Sequence, residues 1–137
     1  MFAIMVPVIV TGAWAEKMTF AAFIVFILLW PICVYYPVAH WVWNPDGWLN
    51  QMGVMDFAGG ITIHTSSGCA AFVAATYLQR REKLGERPQH HNMPLSILGG
   101  SLIWAGWYSF NGGSALKANV QATVALLNTH LAGCSGA

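Results

Sequence analysis

Charged residues are scarce in this sequence. Only 8% of its 137 residues are Asp, Glu, Lys or Arg, whereas soluble globular domains contain about 25%. Six basic and five acidic residues leave a net charge of +1, so the chain offers no basic surface for nucleic acid. Because 56% of the residues are hydrophobic, this composition indicates a membrane protein rather than a soluble domain.

Cysteine is also rare, and its pattern argues against two kinds of site. Cys33, Cys69 and Cys134 lie within apolar runs and form no C-x-x-C pair. An odd number without paired spacing predicts neither a disulfide framework nor a zinc site, so we expect small buried side chains. The adjacent His90 and His91 have no third ligand at metal spacing. The sequence therefore predicts no metal and no cofactor.

Long apolar runs organise the chain. The charged residues divide it into five apolar pieces, which are 1–15, 18–43, 57–78, 95–116 and 118–137. Each of the middle three is long enough to cross a bilayer, since a spanning helix needs about 20 residues. The first and last pieces lack polar flanks, and we expect the chain to be a fragment of a larger protein. The sequence predicts an all-α fold, a polytopic bundle of membrane helices.

The positions of the basic residues predict the orientation in the membrane. Lys17 lies between the first two pieces, and four more basic residues lie between the third and fourth, namely Arg80, Arg81, Lys83 and Arg87. On the opposite side the only basic residue is Lys117. Since cytoplasmic loops carry the excess of Lys and Arg, position 17 and the segment 80–87 are expected in the cytoplasm. The segment 44–55 is expected outside.

His64 lies within the uncharged run 57–78. Ionisable groups inside a membrane usually face a pathway or a partner. Asp56 precedes His64 by eight residues, which in a continuous helix places the two about 12 Å apart along the axis and about 80° apart around it. A packing role and a pathway role for His64 are both open on this basis. Asp56 suits a helix cap better than a direct ligand contact.

Aromatic residues exceed what an interfacial belt needs, with seven Trp, seven Phe and four Tyr. Trp107, Tyr108 and Phe110 precede the segment NGGSA at 111–115. Most of these rings are expected to pack against other helices. Ring faces beside a hydroxyl at a pore mouth would also attract a small cation, because each cation–π contact contributes about 0.5 to 2 kcal/mol.

An intramembrane serine hydrolase is a hypothesis from another class. Ser67 would be the nucleophile, with His130 or His64 as the base. A serine beside a glycine in a membrane helix permits this chemistry. A rhomboid-like G-x-S-G motif, however, requires glycine at the position that Thr65 occupies.

Five segments resemble successive blocks of the ammonium transporter family, the Amt, Mep and Rh proteins. They are TGAWAEKMTF (11–20), YPVAHWVW (36–43), DFAGGITIH (56–64), HNMP (91–94) and GWYSFNGGSA (106–115). The blocks follow the family's order across nearly the whole chain, and together they are highly specific. The resemblance implies that the pieces run from the third transmembrane helix into the seventh, in a fold of about eleven helices.

The resemblance also implies roles for individual residues. Trp43 matches the tryptophan of the family's outer vestibule, and Ser114 matches the vestibule serine that hydrogen-bonds the incoming ammonium. Phe2 and Phe110 match two stacked rings that close the pore below, and Phe2 also borders the vestibule. His64 matches the first of two pore histidines. Supporting positions are Asp56, Tyr35 and Trp107.

The function implied by this resemblance is transport of ammonium or ammonia, with methylammonium as an analogue. The protein would be a multi-pass component of the plasma membrane and not an enzyme. The resemblance further implies a homotrimer with one pore per subunit, and a cytoplasmic regulator as a further partner. An ammonium sensor built on the same scaffold is the alternative.

Overall fold

The computed structural model describes residues 2–15, 17–78 and 91–136. Within those residues every regular element is a helix, so the predicted all-α class is confirmed for the described part of the chain. The chain forms two units, Met1–Glu86 and Arg87–Ala137. The basic segment 80–87 and His90 lie outside the described residues.

Among its described residues, the first unit contains five α-helices, which are α1 (Phe2–Trp14), α2 (Phe20–Trp30), α3 (Tyr36–Trp43), α4 (Trp48–Gln51) and α5 (Ser66–Tyr77). Two π-helical segments belong to the same unit: Pro31–Tyr35 joins α2 to α3, and Gly60–Thr65 leads into α5. The second unit contains α6 (Met93–Gly113) and α7 (Val120–Gly136).

The second apolar piece forms a long helical stretch. The Thr19 hydroxyl accepts a hydrogen bond from the Ala22 N–H at 3.4 Å and so caps the start of α2. Proline removes one helical hydrogen bond, and the backbone changes from α- to π-helical at Pro31 without ending the helix. It ends where Asn44 adopts an extended conformation.

Length and apolar composition mark one candidate membrane span among the described residues, Phe20–Gln51, whose 32 residues include the break at Asn44 and the short helix α4. Helix α6 has 21 residues, but it includes glycine, serine and asparagine and falls short in apolar character. The expectation that the pieces 57–78 and 95–116 also cross a membrane stays a prediction.

The third apolar piece begins as a turn. Its helix starts only at Gly60, and the residues from Gly60 to Thr65 are π-helical. The spacing calculated for Asp56 and His64 assumed a continuous α-helix and is therefore wrong. Gly59 explains the late start, because its φ of +100° is one that other residues rarely adopt. A Cβ at this position would also collide with the Ile63 side chain.

The core of the first unit lies along one face of α1, which packs on α5. Val6, Val10 and Trp14 are spaced four residues apart, so they share one side of the helix, and all three are buried. Trp14 meets Phe26 of α2 in a T-shaped contact with ring centroids 4.4 Å apart. Ile63, fully buried, contributes to this core from the π-helical segment before α5.

Much of the remaining surface is apolar. Ile4 and Phe20 are 75% and 77% exposed. The expectation that the three cysteines are buried is wrong, because Cys33, Cys69 and Cys134 are exposed. An apolar run predicts only that its side chains avoid water. Lipid can cover such side chains as well as protein can.

Candidate functional site

Asp56 organises the turn before the π-helical segment Gly60–Thr65. Its Oδ1 accepts hydrogen bonds from the N–H groups of Gly59 (2.6 Å) and Gly60 (2.8 Å). Its Oδ2 accepts from Ile61 (3.0 Å) and Thr62 (2.9 Å). These N–H groups lie at the start of the helix, where partners within the helix are missing and the dipole favours a negative charge.

The capping contacts leave the Asp56 carboxylate little capacity for a ligand. Two carboxylate oxygens offer about four acceptor positions, and four backbone N–H groups already occupy them. The residue therefore anchors the backbone. This is the capping role that the sequence suggests.

Trp43, at the C-terminal end of α3, is held from two sides. Its indole Nε1–H donates to the backbone carbonyl of Asp56 at 3.1 Å. Its ring centroid lies 5.5 Å from that of Phe2, the first residue of α1, with the planes inclined at 41°. Because the indole N–H is occupied, attraction for a cation has to come from the ring faces.

His64 is exposed at the end of the π-helical segment. Its N–H reaches back to the carbonyl of Gly59 at 3.3 Å, a five-residue hydrogen bond typical of a π-helix. The preceding residues Thr62 and Ile63 are fully buried, so the segment directs His64 away from the core. The Asp56 cap fixes the first turn of this segment and hence the direction of His64.

Tyr35 lies about two helical turns before Trp43. It is buried at 7% exposure and forms an edge contact with the ring of Tyr36 at 5.5 Å. This environment is that of a packing residue. A supporting role of Tyr35 at the site stays a prediction.

Three predicted site residues lie together near the C-terminal end of α6. Trp107, Phe110 and Ser114 are spaced three and four residues apart, which places them on one side of the helix. The rings of Trp107 and Phe110 stack with centroids 5.2 Å apart at 26°. The Ser114 hydroxyl donates to the Phe110 carbonyl at 2.8 Å. With its proton used in this way, the serine oxygen is left as an acceptor.

The contacts between α6 and α7 include residues to which the family resemblance assigned no role. The Tyr108 hydroxyl lies 2.5 Å from His130 Nδ1, and Asn111 Nδ2 donates to Thr129 Oγ1 at 3.0 Å. The sequence did contain a signal for these contacts, namely paired polar residues in two otherwise apolar runs.

The serine hydrolase hypothesis finds no support in this geometry. Ser67 is 1% exposed, and its hydroxyl donates to the backbone carbonyl of His64 at 3.2 Å. A nucleophile needs an accessible oxygen beside a base. The other candidate base, His130, has its Nδ1 at hydrogen-bond distance from Tyr108.

The predicted site residues fall into two groups. Phe2, Trp43 and Asp56 meet in the first unit, and the α6 group lies in the second. Stacking of Phe2 on Phe110, and a vestibule shared by Trp43 and Ser114, would join the two units and stay predictions. Within the described ranges, no three His, Cys, Asp or Glu side chains are placed to hold a metal ion.

Comparison with known proteins places these residues in a family. A family model described as Ammonium Transporter Family matches residues 1–137. "Ammonium transporter 1" of Dictyostelium discoideum is 50% identical, over 97% of this chain and 29% of that protein. "Ammonium transporter" of Bacillus subtilis (strain 168) is 48% identical, over 98% of this chain and 33% of that protein.

A third similar protein is "Ammonium transporter" of Aquifex aeolicus (strain VF5), which is 44% identical over 96% of this chain and 30% of its own length. The chain thus spans about a third of the length of these relatives. The resemblance in the five sequence blocks is confirmed. The chain belongs to the ammonium transporter family, whose members are membrane proteins.

Proposed function

We propose that the protein containing this chain transports ammonium or ammonia across a membrane through a pore that these helices help to form. The observation that carries the proposal is the fixed position of Trp43. In a chain of this family, the Asp56 carbonyl and the Phe2 ring hold an aromatic face at the end of α3.

Recruitment of the cation is the first step. Ammonium has only N–H donors, so it needs acceptors and ring faces to replace its water. Trp43 offers a ring face, and Ser114 offers a hydroxyl oxygen whose proton is directed at the Phe110 carbonyl. Phe2 borders this vestibule through its contact with Trp43.

Loss of a proton is the second step. A charge in an apolar lumen is costly, and desolvation lowers the pKa of an ammonium group just as it does for a buried lysine. Below the rings of Phe2 and Phe110, neutral ammonia therefore moves on, and His64 supplies a hydrogen bond and a route for the proton. K⁺ has no proton to release and is disfavoured.

The remaining features of the proposal follow from the family. The whole protein is a multi-pass bundle of about eleven helices that assembles as a homotrimer in the plasma membrane, with a cytoplasmic regulator. Position 17 and the segment 80–87 face the cytoplasm, because cytoplasmic loops carry the basic excess.

Uptake of radiolabelled methylammonium by cells that express the full-length protein tests the function. Trp43→Leu combined with Ser114→Ala removes one cation–π contact and one hydrogen bond, together about 1 to 3 kcal/mol. The half-saturation concentration should rise roughly 5- to 150-fold. His64→Ala should instead lower the maximal rate, because His64 acts after the cation is bound. Trp48→Leu, at an exposed tryptophan of α4, is the control.

Each outcome has a defined meaning. An unchanged half-saturation concentration in the Trp43 and Ser114 double variant would refute the recruitment site. Wild-type protein that reaches the membrane and binds methylammonium without any uptake would point to the sensor alternative.

A further inference from the structure

Helices α6 and α7 pack antiparallel in a fixed register. Four contacts define it, and as residue numbers rise on α6 they fall on α7. The pairs are Trp104 with Gly133, Tyr108 with His130, Asn111 with Thr129, and Gly112 with Leu126. Both glycines lie at close approaches: a Cβ added at Gly133 would lie 2.7 Å from Trp104 Nε1, so the indole would have to shift, and a Cβ added at Gly112 would lie 3.0 Å from Leu126 Cδ2, a tight contact.

His130 lies at the centre of this register. Its ring stacks with those of Trp104 and Tyr108, with centroid distances of 6.3 and 6.1 Å. Nδ1 lies 2.5 Å from the Tyr108 hydroxyl, and Nε2 lies 3.7 Å from Cys134 Sγ. Both ring nitrogens therefore have a polar neighbour. Hydrogen bonds depend on direction as well as distance, so the bond to Tyr108 restrains the rotation of α6 about its own axis.

The side of α6 that contacts α7 lies next to the side that carries the proposed site. On an ideal helix, the midpoint of Tyr108 and Asn111 is about a quarter of a turn from that of Trp107, Phe110 and Ser114. Side chains lie about 5 to 6 Å from the helix axis, so a rotation of about 20° would move them by about 2 Å. A shift of that size is enough to misplace a ligand contact.

We propose that Tyr108 and His130 are positioning residues for ammonium recruitment. Their hydrogen bond fixes the rotation of α6, and that rotation fixes the Phe110 ring and the Ser114 hydroxyl. Neither residue needs to touch the cation. The inference rests on the proposed function and adds to it a pair of residues outside the recruitment site.

Methylammonium uptake by the full-length protein tests this inference with ring-conserving variants. Tyr108→Phe removes only the hydroxyl, and His130→Phe keeps a ring beside Trp104 while removing both nitrogens. Losing one neutral hydrogen bond should raise the half-saturation concentration about 3- to 10-fold in either variant. The double variant should be no worse than the singles, because both remove the same bond. Tyr77→Phe, at a tyrosine that is 88% exposed, is the control.

His130→Asn provides a rescue, because the asparagine amide carries polar atoms near the position of Nδ1. It should recover part of the affinity that His130→Phe loses. Losing a contact that only stabilises the fold would have a different effect. It would lower the amount of folded protein and the maximal uptake, and it would leave the half-saturation concentration unchanged. Protein in the membrane is therefore quantified by immunoblot for every variant.

Three results would overturn the inference: an unchanged half-saturation concentration in both single variants, additive effects in the double variant, or no rescue by asparagine. If neither phenylalanine variant reaches the membrane, His130→Asn is compared with His130→Ala, and equal half-saturation concentrations count against the inference. Failure of the proposed function is distinguishable, because then the Trp43 and Ser114 double variant has no effect either.

Discussion

Replacing Asp56 by asparagine should destabilise the protein strongly although the change is nearly isosteric. The carboxylate accepts four backbone N–H bonds at 2.6 to 3.0 Å. An asparagine oxygen has two lone pairs, so it can retain at most two of these bonds. The asparagine NH₂ group would then face the remaining N–H donors, which is a repulsive arrangement.

The magnitude follows from these contacts. Each lost hydrogen bond to a charged acceptor costs about 1.5 to 3 kcal/mol, and loss of the charge at the helix start costs roughly a further 0.3 to 1 kcal/mol. Asp56 is only half-buried and Gly60 is exposed, so water replaces part of this interaction. We expect a net loss of about 2 to 4 kcal/mol in the free energy of unfolding.

Thermal unfolding of the purified full-length protein in detergent, followed by size-exclusion chromatography, measures this loss. Asp46→Asn is the matched control, because Asp46 is an exposed acidic residue of the loop after α3. Asp56→Asn should melt at a clearly lower temperature than both wild type and Asp46→Asn. If the two asparagine variants melt together, the carboxylate cap does not hold the turn and the reasoning fails.

Three further variants test the packing around the site by the same unfolding assay. Thr62→Val should leave stability unchanged or raise it by up to about 1 kcal/mol, since this buried hydroxyl has no hydrogen-bond partner within the described structure. Thr129→Val should lower stability by about 1 to 3 kcal/mol, because the buried Thr129 oxygen accepts a hydrogen bond from Asn111. Equal changes in stability for the two valine variants would contradict both assignments. Gly59→Ala should cost at least about 1 to 3 kcal/mol, because φ there is +100°, and wild-type melting would show that the turn relaxes freely.

Local features of the fold were readable from the sequence because their causes are local. The apolar pieces predicted the helices. Caps at Thr19 and Asn92 were not predicted, although both are residue types that favour helix starts, and each accepts a hydrogen bond from the N–H three residues on. The π-helical backbone at Gly60–Thr65 was not predicted. It depends on the turn that Asp56 and Gly59 form together, and hydrophobic periodicity carries no information on such a turn.

The candidate site was found by resemblance, and its supporting contacts were not. The pair Tyr108 and His130 lies 22 residues apart in the chain. Their contact depends on the register of α6 against α7, in which Gly112 and Gly133 lie at close approaches between the helices. A pattern of apolar residues predicts that two helices pack but leaves their register open. The resemblance therefore predicted which side chains would bind a cation, but it did not predict the contacts that hold those side chains in place.

Asp56 connects two steps of the proposed transport through different atoms. Its backbone carbonyl holds the Trp43 indole, and its carboxylate caps the segment that carries His64. Disturbing this turn should therefore impair both recruitment and conduction. Asp56→Asn, measured per folded molecule, should raise the half-saturation concentration and lower the maximal rate, whereas Trp43→Leu should change mainly the former. If Asp56→Asn lowers only the amount of folded protein, the turn contributes stability and does not couple the two steps.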